Sequence, residues 1–320
     1  MGHGVQMGNQ RFPTLLVATV VVAESLVSQG RAVAYEDIPV ADGGTLSGTV
    51  TLNGKVPAPK GYNLTTLPDP IYCGRISDGR GWRLLQPFDV GEAGSFRQVV
   101  VHIEAIERGK AFPETGPTRI DAIDCRFLPF ISVVRDGHDI VVANMDPAMH
   151  DIQAYETSQL GPRVLFNVPL PISARYPREA GISAHVTKHY EGTPIIQHIH
   201  MTKGRRVFTM QCGFHAYMES WALVADHPYY AVTDKDGHYQ LTDIPPGTYR
   251  ITVWHPYLRE SDAHEVTIRP KAQTMLNVTI VAPTGRLYAN QMVENPYIRY
   301  SITEDVQGQI VPTLEKQTYR

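Results

Sequence analysis

From Gly43 onward, short runs rich in β-branched and aromatic residues are separated by Gly, Pro, Asn and Asp, and no window sustains the 3.6-residue apolar period of a long amphipathic helix. A chain of this kind buries its apolar side chains by pairing strands, so the expected fold class is all-β. TLSGTVTLNGKVP (45–57) reads as a strand running into a turn, and RQVVVHIEAIE (97–107) as another. FISVVRDGHDIVVANMD (130–146) reads as two strands joined as a hairpin at Asp136-Gly137, a dipeptide that accepts positive φ. In RVFTMQC (206–212) alternation puts Phe208, Met210 and Cys212 on one face. Cys212 therefore ends a strand with its sulfur directed to the core, and SWALVAD (220–226) resumes as the next strand. After Pro228 come a strand, the turn DKDG, a strand, a Pro-Pro-Gly turn and a further strand, with one or two more over 262–281. DKDG reads as a turn rather than a calcium loop, because the later acidic ligands and flanking helices of an EF-hand are missing. Residues 282–320 are polar without a clear period, which leaves docking on the body and mobility both open.

Residues 1–34 read as a secretory leader. Arg11 gives a basic start, Leu15–Ala23 an apolar run, and Ala32-Val33-Ala34 a small-x-small cleavage site, with cleavage expected after Ala34. The run is too short to span a bilayer, which takes about 20 residues, and nothing later is apolar for long enough. The expectation is a periplasmic or secreted chain with no membrane span in its mature part. A net charge of −3 without a basic cluster gives no footing for nucleic acid.

The segment Cys212-Gly213-Phe214-His215-Ala216-Tyr217-Met218 carries the chemistry. A thiolate, an imidazole and a thioether spaced Cys-x2-His-x2-Met are a ligand set for a copper electron-transfer site, and His150, in NMDPAMHDI, is a candidate fourth ligand. With 13 His and 9 Met in 320 residues, a given Cys acquires both at fixed offsets with a chance of roughly 0.001. The alternatives are a buried Cys acting as a small hydrophobe beside a core Met, or a Cys in a disulfide. Three cysteines are an odd count for an exported chain. Cys212 has ligand neighbours, so Cys73 and Cys125 are expected to pair, closing a loop of about 50 residues worth up to ~4 kcal/mol in the chain-entropy model. Two free thiols are the alternative. His185, His189, His198 and His200 fall within one stretch and form a candidate second metal site, with solvent-facing loop histidines as the other reading. His215, with Phe214 and Tyr217 around it, is a candidate electron port at the surface; Phe214 and Tyr217 as plain core residues stay open beside it. No Gly-x-Ser-x-Gly elbow or Gly-rich phosphate loop is present, so the chain is expected to be an electron carrier rather than an enzyme. A copper oxidoreductase would need a second copper, for which those four histidines are the candidates.

NMDPAMH followed by a distant CGFHAYM resembles the cupredoxins, and the Cys-x2-His-x2-Met spacing is similar to that of amicyanins. The stretch CGFHAYMESWALVADHPYYAVTDKDGHYQLTDIPPGTYRITVWHP resembles exported bacterial proteins labelled methylamine-utilisation or plastocyanin-like. These couple a cupredoxin domain to a carboxypeptidase-regulatory-like, transthyretin-like β-sandwich. The resemblance implies a cupredoxin Greek-key sandwich over 117–226, inserted into a second sandwich formed by 43–116 plus 227–281, with 282–320 as a tail. It also implies one type 1 copper held by His150, Cys212 and His215 with Met218 axial, and His255 in a structural role. Two departures stand out. Asp151 follows the first His where cupredoxins commonly have an Asn that pins the ligand loop, and the long interval before Cys212 implies an insertion within 156–200. The implied function is a type 1 (blue) copper protein carrying single electrons to or from a redox protein, such as a cytochrome or periplasmic oxidoreductase. The alternative is a copper-binding structural, assembly or docking protein without electron turnover.

Overall fold

The computed structural model describes residues 35–157, 161–202, 205–258 and 262–292, together with Met1, Gly2 and Gly4. The rest of the expected leader and residues 293–320 of the tail lie outside the described residues. Among the described residues from 35 to 292 the architecture is all-β, with two sandwiches and one short α-helix, Pro70–Cys73. No helix among them is long and apolar enough to cross a membrane.

The first sandwich faces a five-stranded sheet, in the order Arg163–Leu170, His150–Thr157, Val207–Gln211, Glu219–Ala225 and Ile131–Arg135, against a four-stranded one, Ile195–Ile199, His138–Asn144, Thr118–Ala122 and Phe127–Leu128. Strand alternation explains what is buried between them. In His150–Thr157 every second residue is buried, so His150, Ile152, Ala154 and Glu156 point inward. Ile152 and Ala154 join Ile120, Phe127, Val142, Phe208, Met210, Cys212 and Val224 in one core.

The expected hairpin at Asp136-Gly137 is corrected. The turn exists and Gly137 has φ +72°, but the strands it joins do not pair. Ile131–Arg135 runs parallel to Glu219–Ala225 in one sheet, while His138–Asn144 lies between Ile195–Ile199 and Thr118–Ala122 in the other. The turn crosses between layers, because both strands bury apolar residues in the same core from opposite sides. Residues 156–200, expected as an insertion, supply an edge strand to each sheet: Arg163–Leu170 beside His150–Thr157, and Ile195–Ile199 beside His138–Asn144.

The second sandwich has Tyr230–Val232, Val100–Ile103, Gly247–Trp254 and Asp262–Ile268 in one sheet, and His238–Ile244, Gly44–Asn53 and Gln273–Met275 in the other, with Val278–Val281 also paired to Gly44–Asn53. Its core draws Leu46, Val50, Phe96, Val101 and Ile103 from before the first sandwich and Tyr229, Leu241, Ile251, Val253 and Ile280 from after it. Residues 64–76, expected with this second sandwich, instead place Leu64, Tyr72, Cys73 and Ile76 in the core of the first. A small third cluster, Leu85, Val100, Phe130, Ile131 and Leu223, joins the two. The described part of the tail docks: Gly61 and Asn290 exchange hydrogen bonds, the Met292 N–H donates to the Pro59 carbonyl (2.9 Å), and the Tyr288 hydroxyl donates to the Ala58 carbonyl (2.8 Å).

Candidate metal centre

Two strand ends of one sheet bring the expected ligands together. His150 opens the strand His150–Thr157, and Cys212 follows Val207–Gln211, the antiparallel neighbour of that strand. The chain then turns through His215 and re-enters the sheet at Glu219. The Met218 N–H donates to the His215 carbonyl (2.8 Å) and the Cys212 N–H to the Met218 carbonyl (3.1 Å), so the loop closes on itself. His150 Nδ1 and His215 Nδ1 lie 3.2 Å apart, and Cys212 Sγ lies 3.9 Å and 3.7 Å from them. The point equidistant from the three atoms is about 2.1 Å from each, the length of a metal–imidazole bond. All three residues are buried. Met218 is buried in the same core, in the same loop.

Asp146, which sequence reasoning passed over, fixes the first histidine. Its fully buried carboxylate lies 3.0 Å from His150 Nε2 and accepts from the Tyr72 hydroxyl (2.7 Å) and from the N–H groups of Asp124 (2.7 Å) and Cys125 (2.8 Å). Asp124 and Cys125 both have positive φ, 51° and 52°, which aims two successive N–H groups at one anion. Burial alone would push the Asp146 carboxyl up, but His150 and these donors hold it below its usual value. Burial would likewise push His150 down, yet the hydrogen bond to Asp146 raises it to about 9. With Nε2 engaged by Asp146, it is Nδ1 that faces Cys212 and His215. The signal was a carboxylate four residues before the candidate ligand in NMDPAMH; only the fold shows that it turns inward.

Asp151, the departure from the expected Asn, ties down the other ligand loop, because its Oδ1 accepts from the Gly213 N–H. A Cβ on Gly213 would stand 2.2 Å from Gln153 Nε2 and 2.9 Å from Asp151 Oδ2, so a larger residue there would have to displace these side chains.

The expected electron port is corrected. His215 is 0 % exposed and Tyr217 2 %, and of the three only Phe214 reaches solvent. His215 Nε2 donates to the Pro68 carbonyl (3.2 Å), with Cys73 Sγ at 3.7 Å and an Asp69 oxygen at 3.6 Å. Burial, followed by the neighbouring charge of His150, lowers His215 to about 4. The covering segment is held by the Cys73–Cys125 disulfide (S–S 2.01 Å), the pairing expected from the odd cysteine, which leaves Cys212 free.

The four histidines expected as a candidate second metal site do not converge. His198 and His200 are exposed beside Asp139 (3.0 Å) and Asp136 (3.9 Å), and His185 is exposed. His189 donates from Nδ1 to the Met145 carbonyl and lies near Asp124. Among the described residues, no cluster of ligand atoms holds more than one of them. Strand alternation does put His198 and His200 on one side, but that side faces solvent.

Residues 222–281 match the family model of the carboxypeptidase regulatory-like domain. No curated protein sequence matches the chain. Among solved structures the chain is similar to a purple cupredoxin from Nitrosopumilus maritimus, with 16% identity over 34% of this chain and 99% of that one and a TM-score of 0.23. Reduced auracyanin from Roseiflexus castenholzii is 12% identical over 35% of this chain and 99% of its own, with a TM-score of 0.23. A Cu(I) amicyanin variant is 12% identical over 39% of this chain and 98% of its own, again at 0.23. The carboxypeptidase regulatory-like element of the resemblance recurs in the family-model match. The likenesses are distant, and the case for a metal at this site rests on the donor atoms themselves.

Proposed function

We propose that His150, Cys212 and His215, with Met218 beside them, hold one copper ion, and that the protein carries single electrons outside the cytoplasm. One observation supports this above the rest: two imidazole nitrogens and the free thiol of the chain surround a point about 2.1 Å from each, within the bonding range of a first-row metal. The donor set fits copper, since a soft thiolate with two imidazoles and a thioether is the ligand choice of type 1 sites. Copper, when bound, supplies the one-electron couple. The chain supplies the frame. Asp146 holds the His150 ring by its far nitrogen, Asp151 holds the Gly213 backbone, and Pro68 holds His215 from outside, so the donors are set before a metal arrives. Donors fixed in this way move little when the charge at the site changes. The leader, as read from the residues, would export the protein, and the electron would pass to or from another redox protein.

The burial of His215 favours a second reading, in which the protein holds copper for structural or assembly purposes without turnover. One measurement separates them. Copper-loaded protein should show an intense thiolate-to-Cu(II) absorption in the visible that bleaches with mild reductant and returns on reoxidation. A colourless or irreversibly bleached sample leaves only the second reading, and failure to bind copper at all removes both.

A further inference from the structure

Outside the ligand set, a polar cluster is buried between the two sandwiches, against the end of the ligand loop. Glu219 directly follows Met218 and is 2 % exposed. Its carboxylate accepts from Lys60 Nζ (2.8 Å) and from the Tyr257 hydroxyl (2.5 Å), and Lys60 Nζ also donates to the Tyr257 oxygen (3.1 Å), closing a triangle. Lys60 Nζ stands 5.8, 5.4 and 5.9 Å from the ring centres of Tyr62, Tyr257 and Tyr288. Two residues further along the same short strand, Lys60–Asn63, the Tyr62 ring packs on Tyr217 at 5.9 Å, and Tyr217 packs on His215 at 5.7 Å. Lys60 and Tyr62 thus grip Glu219 and Tyr217, the residues on either side of Met218. Tyr257 follows the strand Gly247–Trp254 of the second sandwich, and the docked tail backs the strand Lys60–Asn63 through Gly61 and Asn290.

A buried ion pair is weak evidence of stability, since apolar residues of similar volume often do as well; its attested use is to specify one arrangement. Here the arrangement specified is the exit of the ligand loop. We infer that Lys60 and Tyr257 are positioning residues, which lock Glu219 and thereby set where Met218 and Cys212 stand, so that the second sandwich completes the metal centre from outside it. This rests on the reading of Cys212 and Met218 as ligand-loop residues.

The test replaces the charged pair by an uncharged one of similar size, Lys60→Met with Glu219→Gln, in the full chain. Buried thiols react through local opening. In metal-free protein Cys212 should therefore be alkylated by iodoacetamide about tenfold faster than in the parent, at unchanged cooperativity of unfolding. After copper loading, the visible band should shift and the reduction potential should change. Lys60→Arg, which keeps the charge, should restore a rate near that of the parent. A folded double variant with the parent's alkylation rate and spectrum overturns the inference. If the double variant does not fold, Tyr257→Phe, which removes one hydroxyl, decides in its place: a faster rate supports the inference and an unchanged one overturns it. A parent protein that shows no copper band defeats the proposed function, while the metal-free alkylation rates still decide whether Lys60 and Tyr257 hold the loop.

Discussion

The Asp146 carboxylate lies 3.0 Å from His150 Nε2, and neither side chain has any solvent exposure. A carboxylate on the far nitrogen of a ligating histidine fixes its tautomer and raises its basicity, and removing such a partner typically weakens metal binding by about 10–100-fold. Asp146→Asn should weaken copper binding by about that factor in a competition titration. An unchanged affinity would show that His150 is oriented by packing alone.

Asp151 should tune the site as well as tie it down. Its Oδ1 holds the Gly213 N–H next to Cys212, and its charge favours the more positive oxidation state of a nearby ion. Asp151→Asn keeps an acceptor and removes the charge, so the reduction potential should rise by on the order of tens of millivolts, the amount expected for a partly solvated charge at this range. Asp151→Ala should in addition speed metal loss to a chelator. Voltammetry and chelator kinetics check the pair; a fall in potential for the Asn variant would contradict the charge argument.

The disulfide covers the site. Cys73 Sγ lies against the His215 ring, and the Cys125 N–H belongs to the Asp146 cradle. Replacing both cysteines by serine should cost up to ~4 kcal/mol of stability by the chain-entropy model and speed copper release. Mass analysis after alkylation should find one reactive thiol in unfolded, unreduced protein and three after reduction. Three before reduction would refute the pairing in solution.

Acid should weaken the second sandwich through two neutral histidines. His255 donates from Nε2 to the Pro87 carbonyl and accepts the Tyr257 N–H at Nδ1; His227 does the same between the Ile103 carbonyl and the Tyr229 N–H. Protonation would set a second N–H against a donor. Burial lowers His255 to about 3 and His227 to about 4. Unfolded, both titrate near 6.5, so below that pH the unfolded chain binds protons that the folded chain refuses. Stability is therefore full above about pH 6.5 and falls as pH drops toward 4 and then 3, by a few kcal/mol. His150 opposes this elsewhere: raised to about 9 in metal-free protein, it adds stability below pH 6.5 that is lost as pH rises through 9. Denaturant midpoints across pH 7 to 4 test the first window, and a flat profile there would contradict it; His255→Gln should lower stability at neutral pH and flatten the slope.

What could be read from the order of residues is what is encoded locally. Period-two alternation marked Phe208, Met210 and Cys212 as inward-facing, turn residues marked the strand ends, and the Cys-x2-His-x2-Met spacing marked one candidate ligand loop. Cysteine arithmetic paired Cys73 with Cys125. Each of these depends on neighbours a few positions apart, or on a count. The hairpin at Asp136-Gly137 failed because turn chemistry specifies a reversal, while only the shared core decides that its two strands join opposite sheets. His215 looked like a surface port for the same reason: small and aromatic neighbours carry no information about a segment 147 residues earlier that closes over its Nε2. Asp146 and Asp151 came to support the candidate ligands, and Lys60 came to rest against Glu219 across 159 residues, only once the two sandwiches had packed. Contacts at such separations are selected by burial of the whole core and leave no pattern in either segment alone.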